Sequence, residues 1–371
     1  MKILQIIFSL SSGGAERFVV DLSNELSKTN DVTLMTLKDD TVDAESRNFY
    51  KFDLSPRVHY LNLGLEDGAL HPSYPWKIYK AIKAISPEFV HFHLSKMLQY
   101  CYLAVRMLGG RMTFVETIHN DLYSAGYTSR FRRLAYHTLL KKGLLRYAAL
   151  SDTNFRQVRK EYPKAKSACI YNGRAPMVPT ALYDKVKEEI DSYKGNADTK
   201  VILHVARCAP QKNQQLLIRS FNAIRNAGRN AVLLIIGANY DSVLGKELRK
   251  LACPGIHFLG TRKNIADYML LSDIFALSSS FEGMPITLLE AMLSGTPMVS
   301  TPVTGAIDVI NGKNGVLSKD FSQESYVEAL EKVLTNYDYY KANAMEGKDD
   351  SPYTIKHCAE QYMKFYQDKY E

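Results

Sequence analysis

The chain has 371 residues, 46% of them hydrophobic, and a formal net charge of +8. This length implies about two domains of ~150 residues each, and the composition excludes a disordered or collagen-like chain. Cys101, Cys169, Cys208, Cys253 and Cys358 have neither metal-ligand nor redox spacing, which excludes a disulfide framework and reads as reduced cytosolic thiols.

The first apolar run, Ile3–Phe8, is short, contains Gln5 and leads into Gly13-Gly14-Ala-Glu16. It reads as a β-strand rather than a signal peptide. Alternation then continues: a helix over Ala15–Leu26, strands Val32–Leu37 and Val58–Leu61, and a helix over Trp76–Ala84. Strand Phe89–Phe92, helix Leu98–Leu108, strand Thr113–Ile118, helix Phe131–Leu145 and strands Ala148–Leu150 and Ala168–Ile170 follow. Strands separated by helices imply a parallel sheet covered on both faces.

From Tyr171 to Lys200 the pattern breaks at Asn172-Gly173, Pro176 and Pro179, and a charged helix-like run follows. This segment reads as a linker. A second alternation follows, with strands Val201–Ala206, Ala231–Ile236, Ile256–Leu259, Ile274–Leu277, Met298–Thr301 and Val316–Leu317. The expected division is an N-terminal domain 1–172, a linker 173–198, a C-terminal domain 199–348 and a last helical segment 349–371. No apolar run approaches the ~20 residues that span a bilayer.

The charge is local. Residues 1–175 hold 25 Lys and Arg against 16 Asp and Glu, and residues 130–174 alone hold 12 against 2. Arg130, Arg133, His137 and Lys141 share one helical face. The patch 130–174 points to an anionic membrane surface as a partner. No nucleic-acid recognition motif accompanies it.

In open parallel sheets ligands bind at the carboxyl ends of the strands, and the chemistry-bearing residues fall there. Gly13, Gly14 and Glu16 follow the first strand, where glycines admit an anion close to the backbone. His93 follows the strand Phe89–Phe92, and His119, Asn120 and Asp121 follow Thr113–Ile118. Imidazoles so placed can bind sugar hydroxyls or a phosphate. His91 and His59 read as structural. Arg207 follows a second-domain strand and Lys212 precedes a helix; the two cations could clamp a diphosphate.

The run Glu282-Gly283-Met284-Pro285-Ile286-Thr287-Leu-Leu-Glu290 places one carboxylate in a loop and the other two helical turns on. Between them lies a helix start with unpaired N–H groups, a seat for phosphate. Carboxylates beside a phosphate seat make sense if they bind hydroxyls at the two ends of a molecule with a diphosphate in its middle. A nucleotide-sugar is such a molecule. No Cys/His cluster and no Asp-x-Asp after a strand marks a metal site.

Gly13-Gly14-Ala-Glu16, His119, Arg207 with Lys212, and Glu282-x7-Glu290, in this order, resemble the retaining glycosyltransferases of family 4. Asn172-Gly173, Leu259-Gly260 and Glu290-Ala-Met-Leu-Ser-Gly295-Thr-Pro297 fit as well. The resemblance covers nearly the whole chain. It implies the α/β GT-B fold: two Rossmann-like doubly wound domains with a cleft between them and a C-terminal helix crossing back to the first. It implies a metal-independent hexosyltransferase that uses a nucleotide-sugar donor, a UDP-sugar before a GDP-sugar, and no cofactor. The acceptor would be a saccharide, lipid-linked, in cell-surface polysaccharide or glycolipid synthesis, with the protein cytoplasmic and peripheral on the inner membrane face.

By the same resemblance, N–H groups around Gly14 face the donor, and His119 lies at the reacting centre. Arg207 and Lys212 neutralise the leaving diphosphate. Glu282 and the N–H groups of Gly283 to Ile286 hold the sugar, and Thr287 lies near the diphosphate. Glu290 takes the ribose hydroxyls, and the loop Gly260, Thr261, Arg262 and Lys263 lies near the base. The chain departs from the family at Thr304-Gly305-Ala306 with Asp308, and at Cys208-Ala209. A nucleotide-sugar 2-epimerase and a non-catalytic nucleotide-sugar-binding module share the fold and remain as alternatives.

Overall fold

The computed structural model describes residues 1–67, 71–94, 96–119, 130–348 and 351–370. They form two compact units, Met1–Ala175 with Pro352–Glu371, and Pro176–Ser351.

The first unit is built on strands β1 (Lys2–Ile7), β2 (Asp31–Lys38), β3 (Val58–Leu65), β4 (Phe89–His93), β5 (Thr113–Ile118), β6 (Arg146–Ala149) and β7 (Ser167–Cys169). All described pairings are parallel, in the order β3-β2-β1-β4-β5-β6-β7. The order reverses between β1 and β4, and this reversal opens a crevice at the carboxyl ends. Leu4, Ile6, Val90 and Phe92 turn to one face, into a core with Ile78, Ile82, Cys101, Val105, Leu139 and Leu140 from helices Ser73–Ile85, Met97–Leu108 and Arg130–Lys141. The opposite face carries Gln5 and His91, which are paired in register. Helices Gly14–Leu26 and Ile355–Tyr366 pack together there.

The last helix belongs to the first unit because the chain clasps it at its start. Arg174 N–H donates to Tyr353 O at 2.9 Å, and Ile355 N–H donates to Arg174 O at 3.0 Å. Gly173 allows this approach: a Cβ there would lie 2.6 Å from both Cys358 Cβ and Thr354 O.

The second unit contains β8 (Lys200–Val205), β9 (Ala231–Ile236), β10 (Ile256–Gly260), β11 (Ile274–Leu277), β12 (Met298–Ser300) and β13 (Gly315–Leu317), parallel in the order β10-β9-β8-β11-β12-β13. Its switch point lies between β8 and β11. The segment expected as a linker is largely structured. Tyr183–Tyr193 is a helix that buries Val186 and Ile190 and packs on helix Ile265–Leu271. Ahead of it, the Thr180 hydroxyl and N–H both donate to Asp267, at 2.5 and 2.7 Å. Its apolar stripe, every fourth residue, binds it to the second unit. Among the described residues no helix is long and apolar enough to cross a membrane.

Candidate active site

In the second unit the motif residues converge on the switch point. Arg207 and Lys212 lie in the connection after β8, and Glu282 lies in the connection after β11. The two connections are stitched together. Ser280 N–H donates to Gln211 O at 2.8 Å. Gln211 Nε2 donates to Phe281 O at 2.8 Å, and the Ser278 hydroxyl donates to Lys212 O at 2.9 Å. These bonds fix Lys212 opposite Glu282: its ammonium donates to Glu282 Oε1 at 2.5 Å, and the Ser279 hydroxyl donates to the same oxygen at 2.7 Å. Glu282 is buried, so the pairing satisfies a carboxylate held away from water. Arg207 is exposed, and its side chain has no ion-pair partner among the described residues.

Pro285 is the residue before helix Ile286–Leu293, one position earlier than a first helical residue. Gly283, Met284, Pro285 and Ile286 are all buried at this helix start, and Thr287 is partly exposed. Glu290 is buried within the helix. Gly305, one of the departures from the family pattern, shapes this loop. In helix Thr304–Val309 it approaches so closely that an added Cβ would lie 2.4 Å from Gly283 O and 2.7 Å from Met284 Cα. Gly305→Ala is expected to push the Gly283–Pro285 loop outward, at a stability cost of about 1–3 kcal/mol, and to raise the KM for donor. An unchanged donor KM would show that this loop does not hold the donor.

At the end of β10, Gly260 has a φ of +69°, which turns the chain sharply. Thr261 is exposed. Arg262, expected near a base, is committed to a different task. Its guanidinium donates to Tyr268 OH at 3.0 Å and to Glu189 Oε1 at 3.3 Å. Burial works to raise the Glu189 carboxyl, and hydrogen bonds from Tyr268 and Arg262 outweigh it and hold it below the usual range. The sequence could not show this, because Glu189 lies 73 residues away.

In the first unit Gly13 caps helix Gly14–Leu26, and its carbonyl accepts from Arg17 N–H at 3.0 Å. The Glu16 carboxylate folds back over the Gly13 Cα, where a Cβ would meet it at 2.1 Å. His119 follows β5 and is partly exposed. His93 corrects an expectation. It is fully buried, with both ring nitrogens engaged by Gln5 and His119. Placed as the last residue of β4 and facing the covering helices, it stands behind His119 and does not meet a ligand directly. His91 is buried as expected, and His59 lies exposed near Asp31. Asn120 and Asp121 lie outside the described residues. Among the described residues no group of three or more His, Cys, Asp or Glu could hold a metal ion.

Residues 12–176 match the family described as Glycosyltransferase Family 4, and residues 185–349 match Glycosyl transferases group 1. The chain is 26% identical over 287 residues to the UDP-Gal:alpha-D-GlcNAc-diphosphoundecaprenol alpha-1,3-galactosyltransferase of Escherichia coli, covering 69% of this chain and 68% of that one. It is 22% identical over 298 residues to the N,N'-diacetylbacillosaminyl-diphospho-undecaprenol alpha-1,3-N-acetylgalactosaminyltransferase of Campylobacter jejuni, covering 77% and 78%. The solved structure of Anabaena Alr3699/HepE in complex with UDP-glucose shares the fold, with a TM-score of 0.77 at 19% identity, over 99% of this chain and 100% of that one. With one family matched by each of its two parallel-sheet units, the chain belongs to the family 4, group 1 glycosyltransferases and has their GT-B fold.

Proposed function

We propose that the protein transfers a hexose from a UDP-sugar, with retention at the anomeric carbon, to a lipid-linked saccharide acceptor at the inner membrane face. The observation that carries this reading is the convergence of Arg207, Lys212, Glu282 and the start of helix Ile286–Leu293 on one switch point. In the reaction the bond from the anomeric carbon to the diphosphate oxygen breaks. An acceptor hydroxyl oxygen bonds to that carbon, and its proton passes to the departing diphosphate or to solvent. The leaving diphosphate gains charge, which Arg207, Lys212 and the helix N–H groups neutralise. Glu282 Oε1 accepts from two donors and is a weak nucleophile, which favours same-face attack over a glycosyl-Glu282 intermediate. His119 takes a place at the reacting centre. Glu290 anchors the ribose hydroxyls, and the turn at Gly260 and Thr261 lies beside the base.

A UDP donor is favoured by the names of the Escherichia coli relative and the Anabaena complex, and a diphosphoundecaprenol-linked acceptor by the names of both enzyme relatives. Membrane docking rests on the patch at 130–174, which is narrower than a charge count suggests. Arg146 donates to Phe365 O, Lys166 pairs with Asp368, and Arg174 pairs with Asp21. Exposed Lys141, Lys142, Arg156, Arg159, Lys160 and Lys164 remain, and Lys141 and Lys164 with His137 line a recess of about 150 Å³ walled by Tyr162 and Pro163. The Arg130 and Arg133 side chains lie outside the described residues.

The test supplies UDP-, ADP- and GDP-hexoses with and without a diphosphoundecaprenol-linked saccharide in anionic or neutral vesicles. A product formed only with UDP-hexose and acceptor, and the protein floating with anionic vesicles, are the expected results. Conversion of the donor without acceptor indicates the epimerase-like reading, and binding without turnover indicates a binding module. Equal flotation with neutral vesicles removes the membrane claim.

A further inference from the structure

The buried face of the first sheet is unusually polar. Gln5 is paired in register with His91, and His93 with Thr117. Adjacent paired residues point to one side of a sheet, as do residues two apart. All four are fully buried. Phe18 lies edge-on to His93 and His119, with centroids 6.0 and 5.7 Å away, and Tyr362 and Tyr366 pack against His91. Away from water, each polar atom here must find a partner inside the protein.

The partners form an ordered chain. Gln5 Nε2 donates to Tyr366 OH at 3.3 Å, which turns Gln5 Oε1 to His93 Nε2 at 2.8 Å. A carboxamide oxygen only accepts, so His93 carries its proton on Nε2. His93 Nδ1 is then a lone pair, and it faces His119 Nε2 at 3.1 Å. His119 must donate from Nε2, which leaves its Nδ1 as a lone pair with no partner among the described residues. Burial keeps the rings singly protonated: it holds His93 well below the usual imidazole range and His119 down to about 3. A neutral imidazole offering a lone pair accepts from a hydroxyl and repels a phosphate oxygen.

We propose that Gln5 and His93 are positioning residues that lock His119 in its Nε2–H form, so that His119 Nδ1 accepts a hydrogen bond from a saccharide hydroxyl. The polarity is set by the Gln5 carboxamide, which donates to Tyr366 of the last helix, and passes through His93 to His119. This rests on the reading that His119 meets the reacting sugars.

The test is long-range proton–nitrogen NMR of the full chain labelled with 15N-histidine, with His119 assigned by its loss in His119→Asn. Wild type is expected to show His119 protonated on Nε2. In Gln5→Leu and His93→Leu, both forms of His119 are expected, with kcat falling by up to about a hundredfold. His93→Gln keeps one donor and one acceptor in line and is expected to restore most of both signals. Wild-type His119 protonated on Nδ1 would overturn the proposal, with no variant required. So would an unchanged tautomer in the leucine variants, or a changed tautomer with unchanged kcat. Full turnover by His119→Ala would instead sink the placement of His119 at the reacting sugars and leave the tautomer result standing.

Discussion

Arg207→Ala and Lys212→Ala are each expected to lower transfer by about 10²–10³, the loss of roughly 3 kcal/mol of charge stabilisation at the departing diphosphate. The two variants should differ in everything else. Arg207 is exposed and its side chain serves no ion pair among the described residues, so its removal should leave the unfolding temperature unchanged. Lys212 is bonded to buried Glu282 at 2.5 Å. Its removal leaves that carboxylate with the Ser279 hydroxyl and costs about 1–3 kcal/mol of stability as well. Initial rates with saturating UDP-sugar, read beside thermal unfolding, separate these effects. Turnover within a few-fold of wild type in both variants would remove the diphosphate clamp from the mechanism.

The Lys212–Glu282 pair also bears on how the donor enters. In the donor-free protein the cation is already satisfied by a carboxylate. On the proposed reading a diphosphate competes for Lys212, and a sugar hydroxyl competes for Glu282. A nucleotide-sugar offers both partners at once, so exchanging one ion pair for two new contacts leaves neither group stranded. A bare diphosphate offers only one, which favours the intact donor over the product.

The largest stability effect is expected at Asp21. Its carboxylate is 2% exposed and accepts from Arg17 at 2.6 Å and from Arg174 at 2.5 Å. Arg174 is itself buried and sits where the chain leaves the first sheet and meets the start of the last helix. Asp21→Ala takes from buried Arg174 the carboxylate it pairs with, and removing one partner of a buried pair costs about 3–5 kcal/mol. Urea unfolding followed by circular dichroism measures this. Loss of stability should come with a drop in turnover, because the same helix carries the glycine turn at Gly13 and Gly14. A cost near zero would mean that Arg174 finds water or another acceptor, and the clasp would then be incidental. Replacing both charges with apolar residues of similar volume should recover much of the loss, since the ion pair's desolvation is itself expensive.

Several elements were legible in the sequence because their causes are local. The apolar run Ile3–Ile7, the amphipathic helix Gly14–Leu26 and the buried strand Ile274–Leu277 each follow from residue spacing alone. Boundaries moved by one or a few residues: β3 runs on to Leu65, and the helix from Arg130 stops at Lys141. Helices Asp152–Glu161 and Tyr337–Glu346 were not expected. The first is almost wholly polar, and the second buries only Tyr340, in the second core, and Ala344, without a clean stripe.

By itself the sequence determined the two alternating α/β halves, the strand ends that carry the motif residues, and the order of those motifs. Each is set by periodicities of 2 and 3.6 and by glycine and proline punctuation, which act over a few residues. Only the tertiary structure decided which side chains those motifs meet. Gln5 joins Tyr366 across 361 residues, Lys212 joins Glu282 across 70, and Arg262 joins Glu189 across 73. Strand register and helix packing made those pairings. They turned His93 from a ligand group into a support, drew Arg262 into a structural network, and removed three cations from the basic patch. The physical reason is common to all of them: a buried polar group takes the partner that packing brings within 3 Å or so, and no local pattern records which partner that is.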